Sequence, residues 1–422
     1  MNRTEENQKL IELIEYVNTY STFYKELFAA QGIAPEDIKC IDDLQKLPTV
    51  SKIDLQKRNS DFFCIQDSQI ADIVTTSGTL GNPVTVPLSK KDLERLAINE
   101  ANSFAIADIT SDDVIQLMVT LDMRFMAGLA YFLGVQKLGA TSLRIGPGSP
   151  VTQLENIEKF KPTVLVGVPS FVAKIVDYAE QNNIDINATS VKKIVCIGDA
   201  IRDENLELNA IGKRITDVWK VDLHSTYAST EMATAFTECN AGKGGHLQED
   251  LLIVEILDEN GNILPHGELG EVTISTLGIE GMPLVRFRTG DMAFIIDDKC
   301  SCGNQSLRLS PIIGRKEQMI KLKGTTIYPS GIIDVINECP EIGNYYIEVT
   351  SDELGLDKVS VIIGSDGESN PCIDNIEVNF KNKLRVIPEI LIQSNIKVIS
   401  NLNKHKGRKP KVFFDMRSQG RY

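Results

Sequence analysis

The sequence predicts an α/β protein: a large N-terminal domain of wound α/β subdomains carrying a β-rich subdomain, followed by a small α+β domain. Three observations predict it. Between about residue 70 and 235, short β-branched runs alternate with helix-like segments, the rhythm of a wound sheet. From 250 to 310 the texture changes to alternating strands with glycine-rich turns. After Arg315 strands flank a helix in a third texture. A chain of 422 residues also exceeds what one hydrophobic core usually supports, so two or three folding units are expected.

In chain order, residues 5–60 read as helical, with Leu10, Ile11, Ile14 and Val17 at helical spacing and a stop near Leu47-Pro48. The runs Val114–Val119, Val164–Val168 and Ile194–Ile197 read as strands, with helices over Lys91–Phe104 and Phe171–Asn182. Two of those runs lead into Gly167-Val168-Pro169-Ser170 and Gly198-Asp199-Ala200, loops at strand carboxyl ends, where open α/β sheets bind ligands. Strands are expected at Leu252–Leu257, Gly270–Ser275 and Ala293–Ile296, then at Val359–Ile363 and Ile396–Ile399 around a helix near Ile373–Leu384.

Composition narrows the function. A net charge of −14 argues against a nucleic-acid partner, which needs clustered positive charge. The exception is residues 397–421, with eight Lys/Arg against the single Asp415, a solvated run or a cationic lid for an anionic ligand. Phe125–Val135, the longest uncharged apolar run, is far short of the roughly 18 residues of a membrane span. The N-terminus is too charged for a secretory signal, so a cytoplasmic protein with no membrane partner is expected. Eight cysteines in a reducing compartment are expected as thiols.

Residues 75–83 read Thr-Thr-Ser-Gly-Thr-Leu-Gly-Asn-Pro, with four hydroxyls and two glycines. Such a loop suits oxyanions, since glycine admits close backbone approach and hydroxyls donate hydrogen bonds; a plain surface turn is the competing reading. Tyr227-Ala228-Ser229-Thr230-Glu231 follows a strand-like run and offers an aromatic, a hydroxyl and a carboxylate; the same residues also suit a helix N-cap. Phe287-Arg288-Thr289-Gly290-Asp291 ends in a carboxylate suited to ribose hydroxyls, or is a β-turn.

In this order these stretches, with Gly314-Arg315 and the turn Lys323-Gly324-Thr325-Thr326, resemble the adenylate-forming superfamily of acyl-CoA synthetases, peptide-synthetase adenylation domains and luciferases. Within it the chain resembles the phenylacetate–CoA ligase family, whose members open with a stretch like Asp43-Leu44-Gln45-Lys46-Leu47-Pro48 followed by Lys52. The resemblance runs from about residue 20 to Arg417.

It implies a ligase that joins an aryl or arylacetic acid to AMP from ATP, releasing pyrophosphate, and then to CoA. Thr75, Thr76, Ser77, Gly78, Thr79 and Gly81 would hold the β- and γ-phosphates. Gly198, Asp199, Ala200 and Tyr227 would frame adenine, Thr230 would touch the α-phosphate, and Glu231 would bind Mg²⁺. Asp291 would take the ribose hydroxyls, and Arg315 would contact the ribose and phosphate region. The domains implied are 1–315, with the β-rich part at about 236–312, and a mobile lid over 316–422 hinged at Glu317. The lid would bring a catalytic lysine, assigned to Lys409 with Lys406 and Lys411 close by, and Gly324 would let the pantetheine arm of CoA pass. The acid pocket would be lined by Phe125, Tyr131, Phe132, Pro169 and His224. A homodimer is left open.

The chain departs from the family pattern. Asn82-Pro83-Val84 lacks the lysine many relatives place after proline, Leu80 replaces a common threonine, Gly198-Asp199-Ala200 stands where the ligases tend to have Glu-Pro, and Gln318 replaces a usual acid. Two alternatives therefore stay open: an adenylating enzyme with another acceptor (a carrier-protein thiol, or AMP transfer), and a catalytically dead nucleotide-binding protein.

Cys239-x6-His246 and Cys300-x-Cys302 form two close pairs of soft ligands beside glycine-rich turns. They meet the requirement for a tetrahedral Cys₃His zinc site, structural because no position is left for water; two unrelated thiol-bearing turns are the alternative.

Overall fold

The computed structural model describes residues 3–76, 83–339, 342–352, 356–365, 371–403 and 412–417. The chain divides into two compact units, Met1–Leu208 with Gly212–Ile312, and Asn209–Ile211 with Ile313–Tyr422. The mixed α/β class expected from the sequence is what the structure has.

The first unit is organised by a nine-stranded sheet. Its parallel half runs Thr141–Arg144, Val114–Leu117, Val164–Gly167, Lys193–Ile197, Asp222–Ser229 in spatial order. The order reverses between the first three strands, and ligands of open α/β sheets bind beyond the carboxyl ends at such a switch. Val164, Leu165 and Val166 are fully buried, as strands covered on both faces require. The helices Lys90–Ile106 and Met126–Leu138 pack together, so closely that a Cβ on Gly134 would lie 2.3 Å from Glu100 Cβ.

The sheet continues antiparallel through Thr234–Glu238, Gly245–His246, Arg308–Leu309 and Ile295–Ile296. Short strands of the segment expected to be β-rich thus extend the α/β sheet. The strands Leu252–Leu257, Gly270–Thr276 and Phe287–Ala293 pair antiparallel in a second sheet. The N-terminal helices Arg3–Tyr20 and Thr22–Gln31 pack on this region, with Leu10, Ile14, Tyr24 and Phe28 in one core with Ile274 and Phe287.

In the second unit, Glu389–Gln393, Asp357–Gly364, Tyr345–Ser351 and Phe413–Asp415 form a four-stranded sheet with helices Pro329–Asn337, Pro371–Leu384 and Asn395–Asn403. Residues Ile396–Ile399, expected as a strand, lie in the last of these helices. Only Val398 of that run is fully buried while Ile396 is 82% exposed, and Glu389–Gln393 already occupies the neighbouring strand position. Tertiary packing overrides β propensity there. The expectation of eight thiols also fails at Cys339, which is disulfide-bonded.

Candidate active site

The anion-loop residues Ser77, Gly78, Thr79 and Gly81 lie outside the described residues. Its roots are fixed. Thr75 ends the strand Asp72–Thr75, which pairs antiparallel with Thr85–Leu88. Thr76 N–H donates to Val84 O at 3.0 Å, and Val84 N–H returns to Thr76 Oγ1 at 3.0 Å. The two roots therefore leave from one short ladder.

Gly198, Asp199 and Ala200 follow the strand Lys193–Ile197, with Gly198 at φ +80° turning the chain out of the sheet. Ser170 Oγ donates to Asp199 Oδ2 at 3.0 Å, tying this loop to the preceding strand-end loop. Tyr227 sits in the strand Asp222–Ser229, its ring stacked on Phe236 of the paired strand at 5.7 Å between centroids. Its hydroxyl donates to Asp291 Oδ2 at 2.8 Å. Asp291 lies within the strand Phe287–Ala293, so the turn reading of that motif is replaced by a strand with Gly290 at φ +79°.

Thr230 and Glu231 occupy the turn after Ser229, closed by Ala233 N–H to Ser229 O at 3.1 Å. No helix follows them; the chain reverses into Thr234–Glu238. Glu231 is 7% exposed, and its Oε1 takes Lys52 Nζ at 2.9 Å. Lys52 opens the helix Lys52–Lys57, capped by Ser51 with Asp54 in a capping box. In the sequence Lys52 stands only after an opening stretch, because a contact across 179 residues leaves no local signal.

Among the expected acid-pocket residues, Phe125 caps the helix Met126–Leu138, Tyr131 faces inward from it at 3% exposure, and Pro169 opens the helix Pro169–Gln181. His224 is buried in the strand, its Nδ1 3.0 Å from Glu238 O, and burial lowers its pKa so that the neutral ring is favoured. Its Nε2 has no partner among the described residues.

In the second unit, Arg315 ends the short strand Gly314–Arg315 and Glu317 lies in the single turn Lys316–Gln318. Lys323 (φ +49°) and Gly324 (φ +82°) form the two-residue turn of a hairpin, and nothing stands within 4 Å of a Cβ built on Gly324. Lys406, Lys409 and Lys411 lie outside the described residues.

The structure brings together the two cysteine and histidine pairs. The donor atoms of Cys239, His246, Cys300 and Cys302 all lie within 4.8 Å of one another. Cys239 Sγ is 3.5 Å from Cys300 Sγ, and Cys302 Sγ is 3.5 Å from His246 Nε2. A tetrahedral zinc site has edges of about 3.8 Å between sulfurs and about 3.5 Å from sulfur to nitrogen, so the residues fit the ion. His246 Nδ1 meets Ser306 Oγ at 3.0 Å, an outer bond that turns Nε2 to the cluster.

Beside this cluster lies a buried ion pair that sequence reasoning missed: Arg202 Nε reaches both Glu238 oxygens at 3.0 Å. Burial pushes the Glu238 carboxyl above its usual range, and Arg202 opposes the shift.

A family model described as AMP-binding enzyme matches residues 23–280. The phenylacetate–coenzyme A ligase of Thermus thermophilus is 27% identical over 364 residues, 85% of this chain and 80% of its own. The enzyme of the same name from Escherichia coli is 25% identical over 363 residues, 84% of this chain and 80% of its own. A crystal structure of 2-hydroxyisobutyryl-CoA ligase with its acyl-AMP superposes with a TM-score of 0.84 at 20% identity, covering 98% of this chain and 89% of that one. The resemblance read from the motifs is borne out, and the chain belongs to the AMP-binding enzyme family.

Proposed function

We propose that this protein is an AMP-forming acid–CoA ligase that activates an aryl or arylacetic acid of the phenylacetate kind. The observation that carries the reading is the set Thr75, Thr76, Gly198–Ala200, Tyr227, Glu231 and Asp291 in the first unit, at strand ends and loop roots in a family whose relatives named above are phenylacetate–coenzyme A ligases. The acid carboxylate attacks the α-phosphorus of ATP, pyrophosphate leaves, and an acyl-adenylate remains. The CoA sulfur then attacks the acyl carbonyl and AMP leaves. Both steps are driven by positioning and charge neutralisation.

Tyr227 and the Gly198–Ala200 loop frame the adenine, Asp291 holds the ribose, and Thr75 through Gly81 hold the outer phosphates. Glu231 would hold Mg²⁺, which when bound neutralises phosphate charge. The second unit acts as a lid over 316–422, hinged at Glu317, bringing Lys409 to the phosphates and passing CoA by Gly324, while Arg315, before the hinge, contacts the ribose and phosphate region. Phe125, Tyr131, Pro169 and His224 line the acid pocket. Cys239, His246, Cys300 and Cys302 hold a structural Zn²⁺, and the protein works in the cytoplasm.

The test is acid-dependent AMP release from ATP and CoA, screened over phenylacetate, substituted benzoates, indoleacetate and short fatty acids. AMP with stoichiometric thioester for an aryl acid is the expected result. AMP or pyrophosphate turnover without thioester would assign a different acceptor. Intact ATP binding with no turnover would leave a nucleotide-binding protein.

A further inference from the structure

We infer that the Cys239–His246 turn, with its metal in place, sets the position of the Gly198–Ala200 loop through Arg202, making Arg202 and Glu238 positioning residues for ATP use. The inference rests on the zinc and nucleotide readings above and gives the metal cluster a task in the reaction.

The argument starts at Gly242, between the ligands Cys239 and His246. It has φ +59°, and a Cβ built on it would lie 2.1 Å from Arg202 Nη2. The turn backbone is thus a wall against the guanidinium. Arg202 is gripped from the other side by Glu238, the residue directly before Cys239, through its Nε to both carboxylate oxygens at 3.0 Å. The two side chains are 13% and 2% exposed. A buried pair of this kind depends on close geometry, since a displaced partner leaves an uncompensated charge.

Glu238 is itself held at both ends. Ser225 N–H donates to its Oε2 at 3.2 Å, and its carbonyl meets His224 Nδ1 at 3.0 Å. Arg202 lies two residues after Ala200, and Asp199 is tied by Ser170 at 3.0 Å. A displacement of Arg202 is therefore carried along two peptide units into the loop assigned to adenine. The turn joins the paired strands Thr234–Glu238 and Gly245–His246, with Gly242 N–H to Cys239 O at 3.0 Å within it and Arg308 Nη1 donating to Lys243 O at 2.6 Å, and four metal bonds would tie it to Cys300 and Cys302 as well.

The test compares wild type, Cys302→Ser, Gly242→Ala and Arg202→Lys, purified without chelator. Zinc content, melting temperature, and kcat and KM for ATP in acid-dependent pyrophosphate exchange are read for each. Wild type, Gly242→Ala and Arg202→Lys are expected to hold stoichiometric zinc and Cys302→Ser to lose it. All three variants are expected to raise KM for ATP about fivefold or more with kcat within about twofold. Wild-type KM in zinc-loaded Gly242→Ala and Arg202→Lys would overturn the coupling and leave the zinc reading standing. Wild-type protein without zinc overturns both, and metal content alone tells the cases apart. A lowered melting temperature with unchanged KM would mark a merely structural role and also overturn it. Pyrophosphate exchange by wild type checks the ligase reading independently.

Discussion

Lys52 Nζ lies 2.9 Å from Glu231 Oε1, so the carboxylate assigned to Mg²⁺ is already paired with an ammonium. The side chains are 31% and 8% exposed, so Lys52 is the more solvent-accessible partner and Glu231 the buried one. Mg²⁺ binding to Glu231 would then compete with Lys52. Lys52→Met is expected to lower the half-saturating Mg²⁺ concentration in pyrophosphate exchange about fivefold, the equivalent of about 1 kcal/mol of competing ion pair. It should also lower the melting temperature measured without Mg²⁺, since Glu231 is then buried unpaired. An unchanged Mg²⁺ requirement would take the pair out of the metal step.

The Tyr227 hydroxyl bond to Asp291, 2.8 Å long, orients the carboxylate assigned to the ribose. Tyr227→Phe keeps the ring stacked on Phe236 and removes only that donor. A hydrogen bond to a charged group contributes about 1.5–3 kcal/mol, so KM for ATP should rise about tenfold with kcat little changed. A KM shared by wild type and variant would show that the Tyr227 hydroxyl does not orient Asp291 for ATP.

The motifs assigned to this site are legible because their chemistry is local. A loop of hydroxyls and glycines, an aromatic with a carboxylate four residues on, and a strand carrying an aspartate each occupy fewer than about ten residues, and periodicity finds the strands between them. The contacts that hold the site were not legible. Lys52 with Glu231 and Arg202 with Glu238 join residues 179 and 36 positions apart, and no spacing announces such pairs. The two-residue strands Gly245–His246 and Arg308–Leu309 are too short to show alternation, so their place in the main sheet was hidden. The Ile396–Ile399 run failed for the opposite reason: its β-branched residues carry a clear propensity that packing around Val398 overrides.

Lys409 is assigned by resemblance and lies outside the described residues, so kinetics must carry its role. A cation at the α-phosphate stabilises charge that develops only during adenylation. Lys409→Ala is therefore expected to depress acid-dependent pyrophosphate exchange about 100-fold or more while sparing thioester formation from preformed acyl-adenylate. Equal loss of both half-reactions would move the assignment to Lys406 or Lys411.

Glu100 supplies a prediction about stability. It lies in the helix Lys90–Ile106 at 3% exposure, facing the helix that carries Tyr131. Its Oε1 takes the Asn99 amide at 3.1 Å, while Oε2 has no partner among the described residues. Burial pushes its pKa up to about 8, against the lowering effect of the Asn99 hydrogen bond. The acid is thus neutral in the folded protein at pH 7 and ionised in the unfolded chain. Its favourable contribution is fully present below the unfolded value and is lost as pH rises toward 8, because the folded state binds the extra proton across that window. The loss approaches about 1.4 kcal/mol per pH unit at most between the two values. Glu100→Gln keeps the shape and the neutral charge state at every pH. Its stability to urea should fall less steeply than that of wild type from pH 5 to pH 8, with the difference growing toward the alkaline end. Parallel wild-type and variant profiles would mean that the carboxyl is solvated in the folded protein and that the space between the two helices admits water.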